Sequence, residues 1–297
     1  MTTLCDAIIY YRFDRARRKT HCATAYRSQA RHETELDAMR ASRLIVSILL
    51  VAIAPVLAAS HARSALPRVL MLTYSAGYQH DVVRRPASGQ PSTAERVIAD
   101  LARRSGRFEV TRVSTRDELD RLTVTSVRAH RAILFFTTGE LPIAPNVREA
   151  VFQIVRDGGG FVGVHSASDT WYAVPEYGKL LGAYFDGHPW HQRVRLLVED
   201  STHPATKHLG QTFEITDEIY QFRSWSPSDV QVLLRLDPRS VDVERGKRPH
   251  RDYALSWTKR YGRGRVFYTA LGHEPAVWAD DRFQAHLLGG IEWALGP

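Results

Sequence analysis

Cysteine is nearly missing from this 297-residue chain: Cys5 and Cys22 are the two it has, both close to the N-terminus. Past residue 22 there is no thiol nucleophile and no disulfide, so a fold built from residues 63–297 must rest on its hydrophobic core, for which that length suffices. A membrane-length apolar run is lacking too. Leu44 to Leu57 falls short of the roughly 20 residues that a spanning helix needs. No glycine-rich phosphate cradle is present, because Gly158-Gly159-Gly160 leads into a strand and not into the amide-rich start of a helix. Nor is there a nucleic-acid footprint. Residues 1–62 hold 9 Lys/Arg and 5 Asp/Glu, which is +4 of the formal +8, and what remains is spread thinly over the rest.

What is present begins with a leader pattern. Arg40 and Arg43 precede the apolar run, and Ala58, Ala59, Ser60 and Ala62 supply small residues for cleavage. Residues 39–62 therefore read as a signal peptide starting at Met39, and a periplasmic or secreted protein with no remaining membrane span is expected. Residues 1–38, basic from Arg12 to Arg31 and without apolar period, read as a mis-called extension with no fold of their own. Residues 63–297 read as one domain.

Within that domain, strands and helices alternate. Arg68–Thr73, Phe108–Val113, Ala132–Thr137 and Phe161–Val164 have strand patterns. Ser92-Thr93-Ala94-Glu95 is a capping box opening a helix. Pro145 to Asp157 carries Val147, Val151, Ile154 and Val155 on one face and ends at the three glycines. The alternation predicts an α/β fold, a parallel sheet with helices on both faces. Four further strand patterns follow without helices between them: Arg193–Val198, Val230–Arg235, Tyr253–Trp257 and Arg265–Thr269. They predict antiparallel additions, and Asp281 to Leu295 closes the chain as a helix.

The candidate chemistry sits in loops. His165 stands at the apex of a strand-to-helix elbow, the place that α/β folds use for catalytic side chains. His80 follows the first strand and His273 the last. With Asp169 one turn beyond His165, and with Glu218, they form the candidate catalytic set, since a His–carboxylate pair can move protons near neutral pH. Asp217 reads as an N-cap. Tyr78, Ser166, Trp171, Tyr172, His188 and Trp190 are candidate sugar contacts, aromatic faces beside hydrogen-bonding groups. One of His188 and His191 is expected to line the site and the other to be surface. No cofactor is expected. A zinc-like set from His80, His165, His188, His273 and Glu218 is an open alternative, although no tight ligand spacing marks it.

Gly158 to Ser166, Gly187-His188-Pro189, Thr202 to Thr206, Asp217 to Tyr220 and Tyr261 to His273 resemble, in order, the motifs of the ThuA-like (trehalose-utilisation) family. The resemblance runs from about Arg68 to Gly296. It implies a flavodoxin-like fold related to class I glutamine amidotransferases, with His165 where those enzymes place cysteine, so glutaminase activity is not implied. It also implies a role in the use of trehalose and related disaccharides, partly through 3-keto sugars made by a partner sugar 3-oxidoreductase. Acid–base cleavage of a 3-keto-glycoside is then the expected reaction, with His165 as base oriented by Asp169, His80 or His273 as oxyanion donor, and Glu218 as acid. A sugar-binding module without chemistry and a metal-dependent hydrolase are the alternatives.

Overall fold

Arg68–Leu72 (β1), Glu109–Val113 (β2), Ala132–Phe135 (β3) and Gly160–Val164 (β4) alternate with helices Thr93–Ser105 (α1), Arg116–Asp120 (α2), Val124–Arg128 (α3) and Pro145–Arg156 (α4). The computed structural model describes residues 65–86, 89–248 and 252–297, and Leu66–Pro297 is one compact unit. The expected extension (1–38) and signal peptide (39–62) lie outside the described residues. Among the described residues no helix is long and apolar enough to cross a membrane.

The rest of the unit comprises Pro175–Leu181 (α5), Tyr184–Phe185 (β5), Trp190–Val198 (β6), Thr212–Ile219 (β7), Phe222–Arg223 (β8), Gln231–Leu236 (β9), Ala254–Tyr261 (β10), Gly264–Thr269 (β11), Pro275–Ala279 (α6) and Asp281–Leu295 (α7). Nine strands make one sheet in the order β2-β1-β3-β4-β11-β10-β9-β6-β7. The first five are mutually parallel, the flavodoxin-like order, and the last four are antiparallel additions. Helix α1 contacts α6 and α7, while α4 contacts α3 and α5. These are the two groups, one per face, that right-handed crossovers produce from such an order. The mixed α/β fold expected from the alternation is the one observed.

Strand β7 is the element that the sequence pattern hides. Phe213, Ile215 and Ile219 alternate inward, but Asp217, buried in the same row, interrupts the apolar period. Its expected role as an N-cap is modified accordingly: Asp217 lies inside a strand and binds the amides of another loop.

Helix α1 shows how the N-terminal half is held. Ser92 and Glu95 complete the capping box. Glu95, with no exposed surface, also takes Arg85 Nε at 3.0 Å and Nη2 at 2.7 Å. Burial alone pushes the Glu95 carboxyl up, but Arg85 and the Ser92 amide outweigh it and hold it below the ordinary glutamate range. A depressed folded-state pKa gives stability that is full above the unfolded value and lost as pH falls toward the folded one. Glu95→Gln is therefore expected to cost about 3 kcal/mol at neutral pH and to flatten the acid side of the stability–pH curve. Urea unfolding at several pH values measures both effects, and an unchanged acid limb would contradict the assignment.

Candidate functional site

Strands β1, β3, β4 and β11 are parallel, so the loops leaving their C-terminal ends gather at one rim, where ligands bind in open α/β sheets. The loop after β1 is tied to the loop after β3. Ala76 N–H donates to the Thr138 carbonyl at 2.8 Å, and the Thr138 hydroxyl donates to the Tyr78 carbonyl at 2.9 Å. The approach needs glycine at 139, whose φ is +74° and whose Cβ would lie 2.8 Å from Gly77 N. His80 is thereby delivered into the rim, almost fully buried.

His165 directly follows β4 with φ of +46°, a left-handed conformation that costs a non-glycine residue about 1–3 kcal/mol. Surrounding contacts hold it there. Nδ1–H donates to the Ala270 carbonyl at 2.6 Å, and Tyr268 donates its hydroxyl to the His165 carbonyl at 2.7 Å. With Nδ1 so committed, a neutral ring carries its lone pair on Nε2. That atom is 3.1 Å from His80 Nε2 and 2.9 Å from the Tyr220 hydroxyl.

Glu218 arrives from the far side of the sheet. Strand β7 is five steps from β4, about 24 Å across a flat sheet, yet Glu218 Oε2 lies 3.5 Å from His165 Nε2. The sheet curls to allow this. Strand β9 pairs with β10 through irregular register at Ser256, and β6 touches β9 only over Leu196–Val198, which frees the other end of the β6–β7 hairpin to bend inward. The same carboxylate is 3.1 Å from His273 Nδ1 and 3.2 Å from His188 Nδ1. His273 is set by Asp217, which accepts the backbone N–H groups of Gly272, His273 and Glu274 at 2.7, 3.1 and 3.1 Å.

Protonation follows from these contacts. Burial, with His165 and His273 close by, lowers His80 to about 3, so it is neutral near pH 7. Burial pushes the Glu218 carboxyl up, but His165 and His273 reverse this and hold it well below the carboxylate range. The facing Glu218 carboxylate raises His273. Burial raises Asp169 and places the Tyr220 hydroxyl well above its ordinary range.

The family profile described as trehalose utilisation (ThuA) matches residues 68–294. The chain belongs to the ThuA family. Solved ThuA-like proteins from Parabacteroides merdae (20% identity, 78% of this chain and 90% of that one, TM-score 0.61) and Bacteroides uniformis (21%, 79% and 93%, 0.61) share its fold. A cytoplasmic protein from Salmonella typhimurium does so at 11% identity, over 77% of this chain and 99% of that one, with a TM-score of 0.52. No curated protein matches the chain.

In this ThuA chain His80, His165, Glu218 and His273 stand together, and Ser166 lies buried beside them with its hydroxyl unpartnered. Other expectations need correction. Asp169 does not orient the imidazole: the Ala270 carbonyl does, and Asp169 accepts the Tyr172 hydroxyl at 2.7 Å. His165 presents no open face to a substrate hydrogen, being wholly buried with both ring nitrogens engaged, and His165 and His273 hold the Glu218 carboxyl well below the ordinary range against its burial, which disfavours the acid role expected of it. Trp171 and Trp190 are core residues, not sugar platforms. Trp171 packs among Phe135, Phe152 and Tyr177, and Trp190 packs on Tyr253 with its Nε1–H on the Asp242 carbonyl. Tyr78 remains exposed, edge-on to His80.

Sequence reasoning gave Tyr220 and Glu274 no part in the site and expected only one of His188 and His191 to line it. His191 Nε2 lies 2.6 Å from Glu274 Oε1, with the His191 ring 5.1 Å from that of His273. Both His188 and His191 therefore border the site, where one of them was expected on the outer surface. Opposition of His191 to Glu218 across the β6–β7 ladder was the missing signal, and it becomes readable once β7 is recognised as a strand. Among the described residues, two donor sets could hold a metal: His80, His165, Glu218 and His273 in the floor, and His191, His273 and Glu274 at the rim.

Proposed function

We propose that this ThuA protein cleaves 3-keto-disaccharides by elimination, acting in the use of trehalose or a related sugar. A keto group at C3 acidifies the hydrogen on C2. A base takes that proton, the electron pair forms an enolate on O3, and collapse of the enolate makes the C1–C2 double bond as the C1–O bond breaks. The aglycone oxygen then takes a proton from an acid. Such a reaction needs a fixed charge-stabilising floor and exposed proton carriers above it. The observation supporting this reading is the convergence of His80, His165, Glu218 and His273 within 4.8 Å at the sheet rim, beneath the half-exposed rings of His188 and His191, each paired with a carboxylate.

His188 is cast as the base. Its ring stacks on Phe185 at 5.9 Å and 17°, and Glu218 holds Nδ1, which leaves Nε2 toward solvent. His191, held by Glu274, is cast as the acid, and the floor stabilises the enolate oxygen. Because the substrate must already carry a ketone, a sugar 3-oxidoreductase has to act first. Burial of Trp171 and Trp190 takes two of the expected aromatic contacts from either reading, and binding of both sugars without release would favour a sugar-binding module without chemistry.

The test compares 3-keto-trehalose with trehalose. Sugar release from the keto form alone is expected, with a substrate deuterated at C2 losing that deuterium to solvent and a fall of about 100-fold or more in His188→Ala. Release from neither sugar, or at equal rates from both, would overturn the reading.

A further inference from the structure

We infer that His80, His165, Glu218 and His273 bind one divalent transition-metal ion of the zinc class. The inference rests on this pocket being the functional site, and it does not depend on which sugar is cleaved.

Geometry is the first argument. A tetrahedral ion with bonds of about 2.0–2.1 Å sets neighbouring ligand atoms about 3.3 Å apart. Here His80 Nε2 and His165 Nε2 are 3.1 Å apart, His165 Nε2 and Glu218 Oε2 3.5 Å, and Glu218 Oε2 and His273 Nδ1 3.1 Å. These contacts run from one ligand atom to the next as tetrahedron edges do, and no two of the four atoms are more than 4.8 Å apart.

The second argument is that protons alone satisfy the cluster poorly. His273 Nδ1 is buried and close to the carboxylate, yet it makes no aligned hydrogen bond. His80 Nε2 and the Tyr220 hydroxyl both point at the single lone pair of His165 Nε2, which cannot accept from both. One cation facing all four groups removes the conflict.

The surroundings are those of a metal site. Ala270 fixes the His165 tautomer, His188 contacts the outer oxygen of Glu218, and Asp217 anchors the backbone that carries His273. Three imidazoles with one carboxylate suit zinc, cobalt or nickel better than calcium or magnesium, which prefer oxygen. In the proposed cleavage, such an ion, coordinatively filled by the four side chains, would supply positive charge beneath the enolate oxygen.

The experiment uses the full chain without an affinity tag, purified without chelator, then dialysed against zinc and, separately, cobalt. Elemental analysis is expected to find one equivalent bound, and cobalt to give the intense visible absorption of a four-coordinate centre. Glu218→Gln and His80→Ala should each weaken zinc binding about 100-fold or more, with near-parental circular dichroism as the check on folding. Absence of stoichiometric zinc and cobalt, or parental affinity in both variants, overturns the inference. Outcomes for the two proposals separate: zinc bound without cleavage supports the ion and sinks the substrate, whereas cleavage by protein that takes up no metal sinks the ion and leaves the elimination standing.

Discussion

Glu218→Gln is expected to lower kcat/KM on 3-keto-trehalose by about 10³-fold while leaving the fold in place. Glutamine keeps the size and the reach of the side chain but not its charge. Glu218 is the carboxylate that His165, His188 and His273 all face, at 3.5, 3.2 and 3.1 Å. Removing it disorients the proposed base and takes from His273 the carboxylate that favours its charged form, in one step. Glu274→Gln leaves that centre intact and touches His191, so its loss should be smaller, about 10-fold to 100-fold. Steady-state rates on both variants give the order. A Glu218→Gln enzyme as fast as the parent would remove the carboxylate from any account of the chemistry.

The second large effect is on stability and falls on a residue that touches no substrate. Asp217 has no exposed surface, and its two oxygens accept three backbone N–H groups from the loop carrying His273. Asp217→Asn turns one oxygen into a donor, which then faces a backbone donor. Leaving such groups unpaired, together with the lost charge-assisted bonds, is expected to cost about 3 kcal/mol, or roughly 10 °C in Tm for a unit of this size. Activity should fall as well, because His273 loses its anchor. Asp169→Asn, whose partner is a tyrosine hydroxyl, serves as the control and should move Tm far less. If the two variants melt together, the loop is held by something other than Asp217.

Much of the parallel half was readable because its signals are local. The capping box at Ser92, the proline opening α4 and the apolar strands β3 and β4 each follow from a few neighbouring residues. His165 was marked by its elbow and His273 by its position just past a strand, and β11 does run parallel to β4. The rest was hidden for physical reasons. Asp217 breaks the apolar row of β7, so that strand, and with it the closeness of His191 to Glu218, left no pattern. Trp171 and Trp190 sit in polar-looking stretches of sequence, the second at the start of β6, but tertiary packing carries both into the interior, which no windowed pattern reports. The partner of His165 Nδ1 is a backbone carbonyl, and a carbonyl has no sequence signature at all.

The curl that carries the β6–β7 hairpin back over β4 has a consequence for biosynthesis. A nascent chain still missing its last strand already contains His80, His165 and Glu218, but it lacks His273 and the carbonyl that seats the His165 ring. Contacts of such long sequence separation form late, so the pocket has no half-built version. The complete site needs nearly the whole polypeptide, and a truncation before Gly264 removes the Ala270 carbonyl and His273 however well the preceding strands fold.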